Sequence, residues 1–188
     1  MKLYLASRSS RRRKLLEQLN ITFDVIDIDI DETWDGIEPA KDYVQRLALG
    51  KARAARQKLE AKEHLPVLAA DTEVVLDDIV MGKPEDINDA IKMLGELSGR
   101  KHNVYSAVAL IDKDELIKLN TSRVCFRPLS RKEIIAYCET GEPLGKAGAY
   151  AIQGQAAMFI ERLEGSYSGV MGLPLYETAG LLHSINLI

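Results

Sequence analysis

Arg8, Arg11, Arg12, Arg13 and Lys14 place five cations within seven positions, beside the hydroxyls of Ser7 and Ser9. Leu15, Leu16 and Leu19 follow at helical spacing, so the cations fall at the start of a helix. A helix N-terminus already carries partial positive charge and free N–H groups, so stacked cations are unfavourable there unless an anion joins them. Guanidinium groups bind phosphate through paired hydrogen bonds. The segment therefore reads as a phosphate cradle, with a solvated charged helix face as the plainer alternative. Nucleic acid is a poorer match, because no aromatic residue is interleaved for base stacking and the chain as a whole is acidic.

Asp71 closes the apolar run Val67-Leu68-Ala69-Ala70, at the predicted C-terminal end of a strand, where open sheets commonly expose functional groups. A carboxylate there can bind Mg²⁺ through oxygen, or position and deprotonate a water. Asp is also a common turn residue that bonds the backbone N–H groups after it. Lys83, in Gly82-Lys83-Pro84, supplies a point charge for phosphate next to a glycine that permits close backbone approach, although such a tripeptide is more often only a turn. Lys51 lies on an apolar helical stripe with Leu47, Ala48, Ala52 and Ala55. A cation there is costly without a counter-anion, unless the side chain snorkels to solvent. Glu32, at the end of an acidic patch with Asp27, Asp29 and Asp31, is a candidate to complete a metal site with Asp71. Gln153 is the side-chain amide of a small-residue loop over 145–154, where a flat ligand can approach the backbone.

The elements that must position these groups follow from periodicity. Leu3 to Ala6 reads as a strand that runs through a loop at Ser7 into the basic helix. Phe23, Val25, Ile26 and Ile28 mark a second strand, and a helix extends from Pro39 to Lys62. Pro66 to Asp71 forms a buried strand, and Glu73–Leu76 with Ile79–Met81 flank Asp77-Asp78 as a hairpin. Asp86 starts a helix that Ser98-Gly99 stops. His102–Ile111 and Leu116–Phe126 form a long antiparallel hairpin, and Ser130 with Glu133 makes a capping box. Met158–Leu163 is a strand, and a last helix starts near Pro174. Units of strand, helix and strand mixed with hairpins predict an α/β or α+β class with a mixed sheet.

The chain's 188 residues fit one domain, or two lobes sharing one sheet, spanning 1–188. A chain of this size buries roughly 70% of its extended surface and needs no disulfide or structural metal. Cys125 and Cys138 lack a companion His at metal-ligand spacing and read as small buried hydrophobes in a reducing compartment. His64, His102 and His183 are scattered, which gives triad chemistry little support. A net charge of -3 argues against coating a polyanion or an anionic membrane. No apolar window approaches the ~20 residues of a membrane span, and the N-terminus runs from apolar to basic, the reverse of a secretion signal, so a cytoplasmic location is expected.

In order along the chain, LASRSSRRRKLL at 5–16, RLALGKA around Lys51, AADT at 69–72, GKP at 82–84, SG at 98–99, KAGAYAIQG at 146–154 and GSYSGVMGLPL at 165–175 resemble the Maf family of nucleotide pyrophosphatases. The resemblance covers almost the whole chain; the family usually has Pro where this chain has Ser10. It implies an elongated mixed sheet with a cleft between two lobes, related to the inosine triphosphate pyrophosphatases, and a homodimer. It also implies hydrolysis between the α and β phosphates of a nucleoside triphosphate with a divalent cation, Mg²⁺ or Mn²⁺. Asp71 matches the family's general base, and Ser7, Arg11, Arg12, Lys51 and Lys83 suit a triphosphate and the charge on leaving pyrophosphate.

The family group that acts on dTTP and UTP resembles this chain in Arg11, Thr72 and Gln153. A group acting on 7-methyl-GTP tends to carry an aromatic residue, Gln and Glu at those places. A neutral amide pairs with the N3–H and carbonyls of uracil or thymine, whereas a carboxylate better serves the N–H donors of guanine. The competing expectation is a regulatory nucleotide- or nucleic-acid-binding protein, which the basic cluster motivates, with the link to septum formation implied by the family resemblance.

Overall fold

The computed structural model describes residues 2–59 and 65–188. Its strands are β1 (Lys2–Leu5), β2 (Thr22–Val25), β3 (Val67–Leu76), β4 (Ile79–Val80), β5 (Lys101–Ile111), β6 (Glu115–Phe126) and β7 (Ile160–Glu164). Its helices are α1 (Ser10–Glu17), α2 (Ala40–Lys58), α3 (Ile87–Leu97), α4 (Arg131–Glu139), α5 (Tyr167–Met171) and α6 (Leu175–Ser184). The sheet runs β2-β1-β3-β5-β6-β7, with β4 added to β3. β1 is parallel to both β2 and β3, as a strand–helix–strand crossover requires, and the remaining pairs are antiparallel.

Alternation along the strands sorts the core onto two faces. Val67, Ala69, Val75, Tyr105, Ala107 and Ala109 pack with the small-residue stripe of α2. The opposite face carries two separate clusters. One joins Leu68, Ala70, Val108 and Leu110 to Leu15 and Leu16 of α1 and Leu181 and Leu182 of α6. The other joins Val74, Val104 and Phe126 to Leu94 and Leu97 of α3 and Tyr137 of α4. Thr72 and Ser106, a cross-strand polar pair, stand between them. At about 1.5–3 kcal/mol for each large buried side chain, these clusters carry the fold on both sides of that polar seam.

Most local expectations hold, including the Asp86 cap on α3 and the Ser130–Glu133 capping box on α4. The helix expected to reach Lys62 ends at Lys58, where Leu59 is already extended (ψ 141); positions 60–62, and His64, lie outside the described residues. The strand expected to end at Asp71 continues to Leu76, because Thr72–Val75 pair with β5 along their whole length. It stops at Asp77 and Asp78, whose φ values of 50 and 65 form the turn into β4. The short helix α5 has too few residues to leave a periodic trace in the sequence.

Candidate active site

The site is built on an open edge of β3. One edge pairs with β5 from Val67 to Val75. On the other, β1 reaches only Val67 and Leu68, and β4 only Val75 and Leu76. Among the described residues no strand covers the stretch between, and a cleft of about 640 Å³ opens there. Asp71 therefore reaches the cleft from mid-strand, through a gap in the sheet.

Asp71 and Glu73 share the face of β3 that looks toward α2, while Thr72 belongs to the opposite face. α2 delivers Lys51, whose Nζ lies 2.5 Å from Asp71 Oδ1 and 2.5 Å from Glu32 Oε1. The cation predicted to need a counter-anion on its apolar stripe has two. Lys83 Nζ donates to the other oxygen of Glu32, Oε2, at 2.9 Å. Tyr43, one helical turn pair earlier on α2, donates its hydroxyl to the Glu32 backbone carbonyl at 2.6 Å and so anchors that loop. Partial burial works against the charged form of Glu32, but the hydrogen bonds and charges of Lys51 and Lys83 outweigh it and draw the carboxyl down to about 2.

Glu73 stands apart. It is buried at 7% exposure, and its Oε2, like Asp71 Oδ2, is a buried oxygen without a hydrogen-bond partner among the described residues. Burial first, then the Asp71 charge, hold its carboxyl well above the usual range, with Lys83 and Lys51 acting in the opposite direction. Reading the strand as ending at Asp71 hid Glu73. The signal was its spacing of two from Asp71 in a run that continues as Val74-Val75-Leu76.

The cationic wall comes from the start of α1. The Ser9 hydroxyl caps the helix by accepting from Arg12 N at 3.4 Å, and Ser9 N–H donates to buried Ser7 Oγ at 3.2 Å. Arg11 Nε donates to Met171 O at 3.1 Å and Arg12 Nε to Gly172 O at 2.8 Å. Each guanidinium is thus tethered at Nε and carries four further N–H groups. Burial lowers the pKa of both arginines, and for Arg12 the charges of Asp71, Glu32 and Glu73 act against that lowering. The five clustered cations divide here: Arg11 and Arg12 line the cleft, Arg8 pairs with Asp27 at its rim, and exposed Arg13 and Lys14 are not among its lining residues.

Thr72 Oγ1 lies 3.0 Å from Ser106 Oγ, which spends its own hydrogen on Gly169 O at 2.6 Å. The Thr72 hydroxyl must then donate to Ser106, leaving acceptor capacity for a ligand. Gln153 is exposed at the cleft, on a loop fixed at two points. Gly148 N–H donates to Gly82 O at 2.8 Å, and Glu142 accepts from Tyr137 OH at 2.9 Å and from Gln155 N–H at 3.1 Å. Gly148 has φ +65, and a Cβ there would lie 2.7 Å from Val74. Of the residues singled out from the sequence, Ser7, Arg11, Arg12, Glu32, Lys51, Asp71, Thr72, Lys83 and Gln153 line this one cleft.

The family model for Maf-like proteins matches residues 2–185. This chain belongs to the Maf family. Among curated relatives, the dTTP/UTP pyrophosphatase of Methylobacillus flagellatus is 52% identical over 97% of this chain and 92% of its own length. That of Burkholderia lata is 50% identical over 97% and 92%, and that of Aromatoleum aromaticum 49% identical over 97% and 95%. Among solved structures, a nucleoside-triphosphatase / dITP/XTP pyrophosphatase of Mycobacterium abscessus superposes with a TM-score of 0.53 at 17% identity, covering 98% of this chain and 95% of that one. At that identity the likeness is one of fold, and it extends over the whole Maf sheet.

Proposed function

We propose that this Maf protein hydrolyses dTTP and UTP to the monophosphate and pyrophosphate. The observation that carries the reading is the cleft itself, where a hydroxyl and guanidinium wall at the start of α1 faces a carboxylate wall on β3, with Lys51 bridging Asp71 and Glu32. A triphosphate needs the first wall and its hydrolysis the second. The names of relatives about 50% identical support the same substrates.

In the proposed reaction a water adds to the α-phosphorus while the bond to the bridging oxygen breaks, and pyrophosphate leaves with the electron pair. Asp71 holds the attacking water and accepts its proton. Its Oδ1 is occupied by Lys51, and its Oδ2, without a partner among the described residues, is the oxygen left for a ligand. Ser7 and the N-terminus of α1 cradle phosphate oxygens, and Arg11, Arg12, Lys51 and Lys83 stabilise charge that builds on the departing group. Arg11, Thr72 and Gln153 set substrate choice, with the Gln153 amide pairing to the pyrimidine N3–H and a carbonyl. An unpaired group in such a pocket costs about 1–3 kcal/mol, enough to discriminate between bases.

A divalent cation, Mg²⁺ or Mn²⁺, is part of this proposal. The residues fit it, since two buried carboxylate oxygens without partners among the described residues, on Asp71 and Glu73, are hard donors of the kind these ions take. Asp71, with Glu32 or Glu73 beside it, would hold the ion, which when bound neutralises phosphate charge. Action as a homodimer on the cytoplasmic nucleotide pool completes the proposal, and sedimentation of the purified protein tests the dimer.

The decisive assay is a panel of nucleoside triphosphates with Mg²⁺, resolving monophosphate and pyrophosphate. dTTP and UTP should be turned over and Asp71→Asn should abolish it. Purine turnover without pyrimidine turnover, or full activity in Asp71→Asn, would sink the reading.

A further inference from the structure

We infer that the protein ligands of the divalent cation are Asp71 and Glu73, and that Glu32 serves instead as the counter-charge of Lys51 and Lys83; this rests on the proposed metal-assisted hydrolysis. The sequence pairs Asp71 with Glu32, yet the structure distributes the partners differently. Both oxygens of Glu32 are taken, Oε1 by Lys51 at 2.5 Å and Oε2 by Lys83 at 2.9 Å. Asp71 gives Oδ1 to Lys51 at 2.5 Å and keeps Oδ2 buried without a partner among the described residues. Glu73 keeps Oε2 in the same condition.

Buried carboxylate oxygens are almost always paired, because desolvating negative charge is costly. Two orphans on alternate residues of one strand, facing the same way, mark where charge compensation is missing. Lysines have already compensated Glu32. Mg²⁺ characteristically takes one or two carboxylates and completes its shell with water and substrate phosphate. That matches a site of two carboxylates, and among the described residues no group of three or more His, Cys, Asp or Glu is arranged to cage a metal. Glu32 then has a separate task, holding the Lys51 and Lys83 side chains at the cleft until phosphate arrives.

Mn²⁺ binding to the whole protein, followed by electron paramagnetic resonance of the free ion, tests the assignment without turnover. Charge-conserving variants separate a ligand from a mere field. Glu73→Asp should weaken Mn²⁺ more than fivefold, since it keeps the charge but withdraws the oxygen by one methylene, whereas Glu32→Asp should stay within fivefold of wild type. Mn²⁺ affinity within fivefold of wild type in Glu73→Asp, a loss beyond fivefold in Glu32→Asp, or no Mn²⁺ binding by wild type overturns the assignment. Thermal melts give a second readout. Glu73→Gln, isosteric and neutral, should melt at or above wild type without metal and show a smaller rise on adding Mn²⁺; an undiminished rise overturns it too. Wild-type dTTP turnover is scored separately. Glu73-dependent Mn²⁺ binding without pyrimidine turnover upholds the site and removes the substrate reading, and pyrimidine turnover with Glu73-independent binding does the reverse.

Discussion

Lys51→Met removes one cation from the middle of the cleft while keeping a side chain of similar length on the apolar stripe of α2. The Lys51 and Asp71 side chains are 9% and 6% exposed, so the variant leaves an uncompensated buried carboxylate, a loss of about 3–5 kcal/mol. Glu32 adds less. Moving its carboxyl from 4.5 to about 2 corresponds at full strength to about 3 kcal/mol, but with 38% of the side chain exposed and Lys83 still in place, the share owed to Lys51 falls to about 1 kcal/mol. Such terms overlap, and the expected total is about 4 kcal/mol at pH 7.5. Urea unfolding measures it, and at about 2 kcal/mol per molar the midpoint should fall by about 2 M. The pH dependence has a definite sign. A carboxyl whose folded pKa is depressed contributes stability that is full above its unfolded value, here near 4.5, and disappears as pH falls through about 2. The gap between wild type and Lys51→Met should therefore narrow from pH 7.5 to pH 3. The double variant Lys51→Met/Asp71→Asn should recover much of the loss, because the remaining partner is neutral. A gap under about 1 kcal/mol at pH 7.5, or one that does not change with acid, would show that the bridge is not the buried contact described.

Ser10 occupies the first helical position of α1, and Ser9 before it is extended at φ -67 and ψ 117, so Ser10→Pro suits both residues. It should raise stability by about 0.4–1 kcal/mol, read as a melting temperature higher by about 1–4 °C; a lower one would contradict the geometry. Gly148→Ala sets a Cβ 2.7 Å from Val74 at φ +65, and should lose about 1–3 kcal/mol and raise KM for dTTP more than it lowers kcat. Adding Val74→Ala should restore part of the stability, and no restoration would place the strain elsewhere. Burial lowers His102 to about 4, so its contribution to stability is full above about 6.5 and is lost as pH falls toward 4. From pH 7 to pH 5 that amounts to about 2 kcal/mol, and His102→Gln should flatten this part of the wild-type profile in denaturant titrations at the two pH values.

Much of the fold was legible because its signals are local. The caps at Asp86 and Ser130, the Asp77-Asp78 turn and the alternating runs of β5 and β6 each lie within a few consecutive residues. The site was legible in a different way. Lys51 on an apolar stripe announced a missing counter-anion, and clustered arginines at a helix start announced an anion. Glu73 and α5 were missed, the first behind a strand boundary placed too early and the second for want of length.

Residue chemistry and order along the chain pointed to a phosphate cradle, a strand carboxylate and a small-residue loop in one protein. Which charges meet is a matter of distance between segments far apart in sequence. Only the tertiary structure leaves the edge of β3 open between β1 and β4, brings Glu32 and Asp71 onto Lys51, and tethers Arg11 and Arg12 to the carbonyls of Met171 and Gly172. A sequence carries the types of these groups, but the energy of a buried charge depends on what surrounds it. That is why the sequence could place Glu32 and Asp71 in one site, while folding alone shows that Glu32 is already satisfied and Glu73 is not.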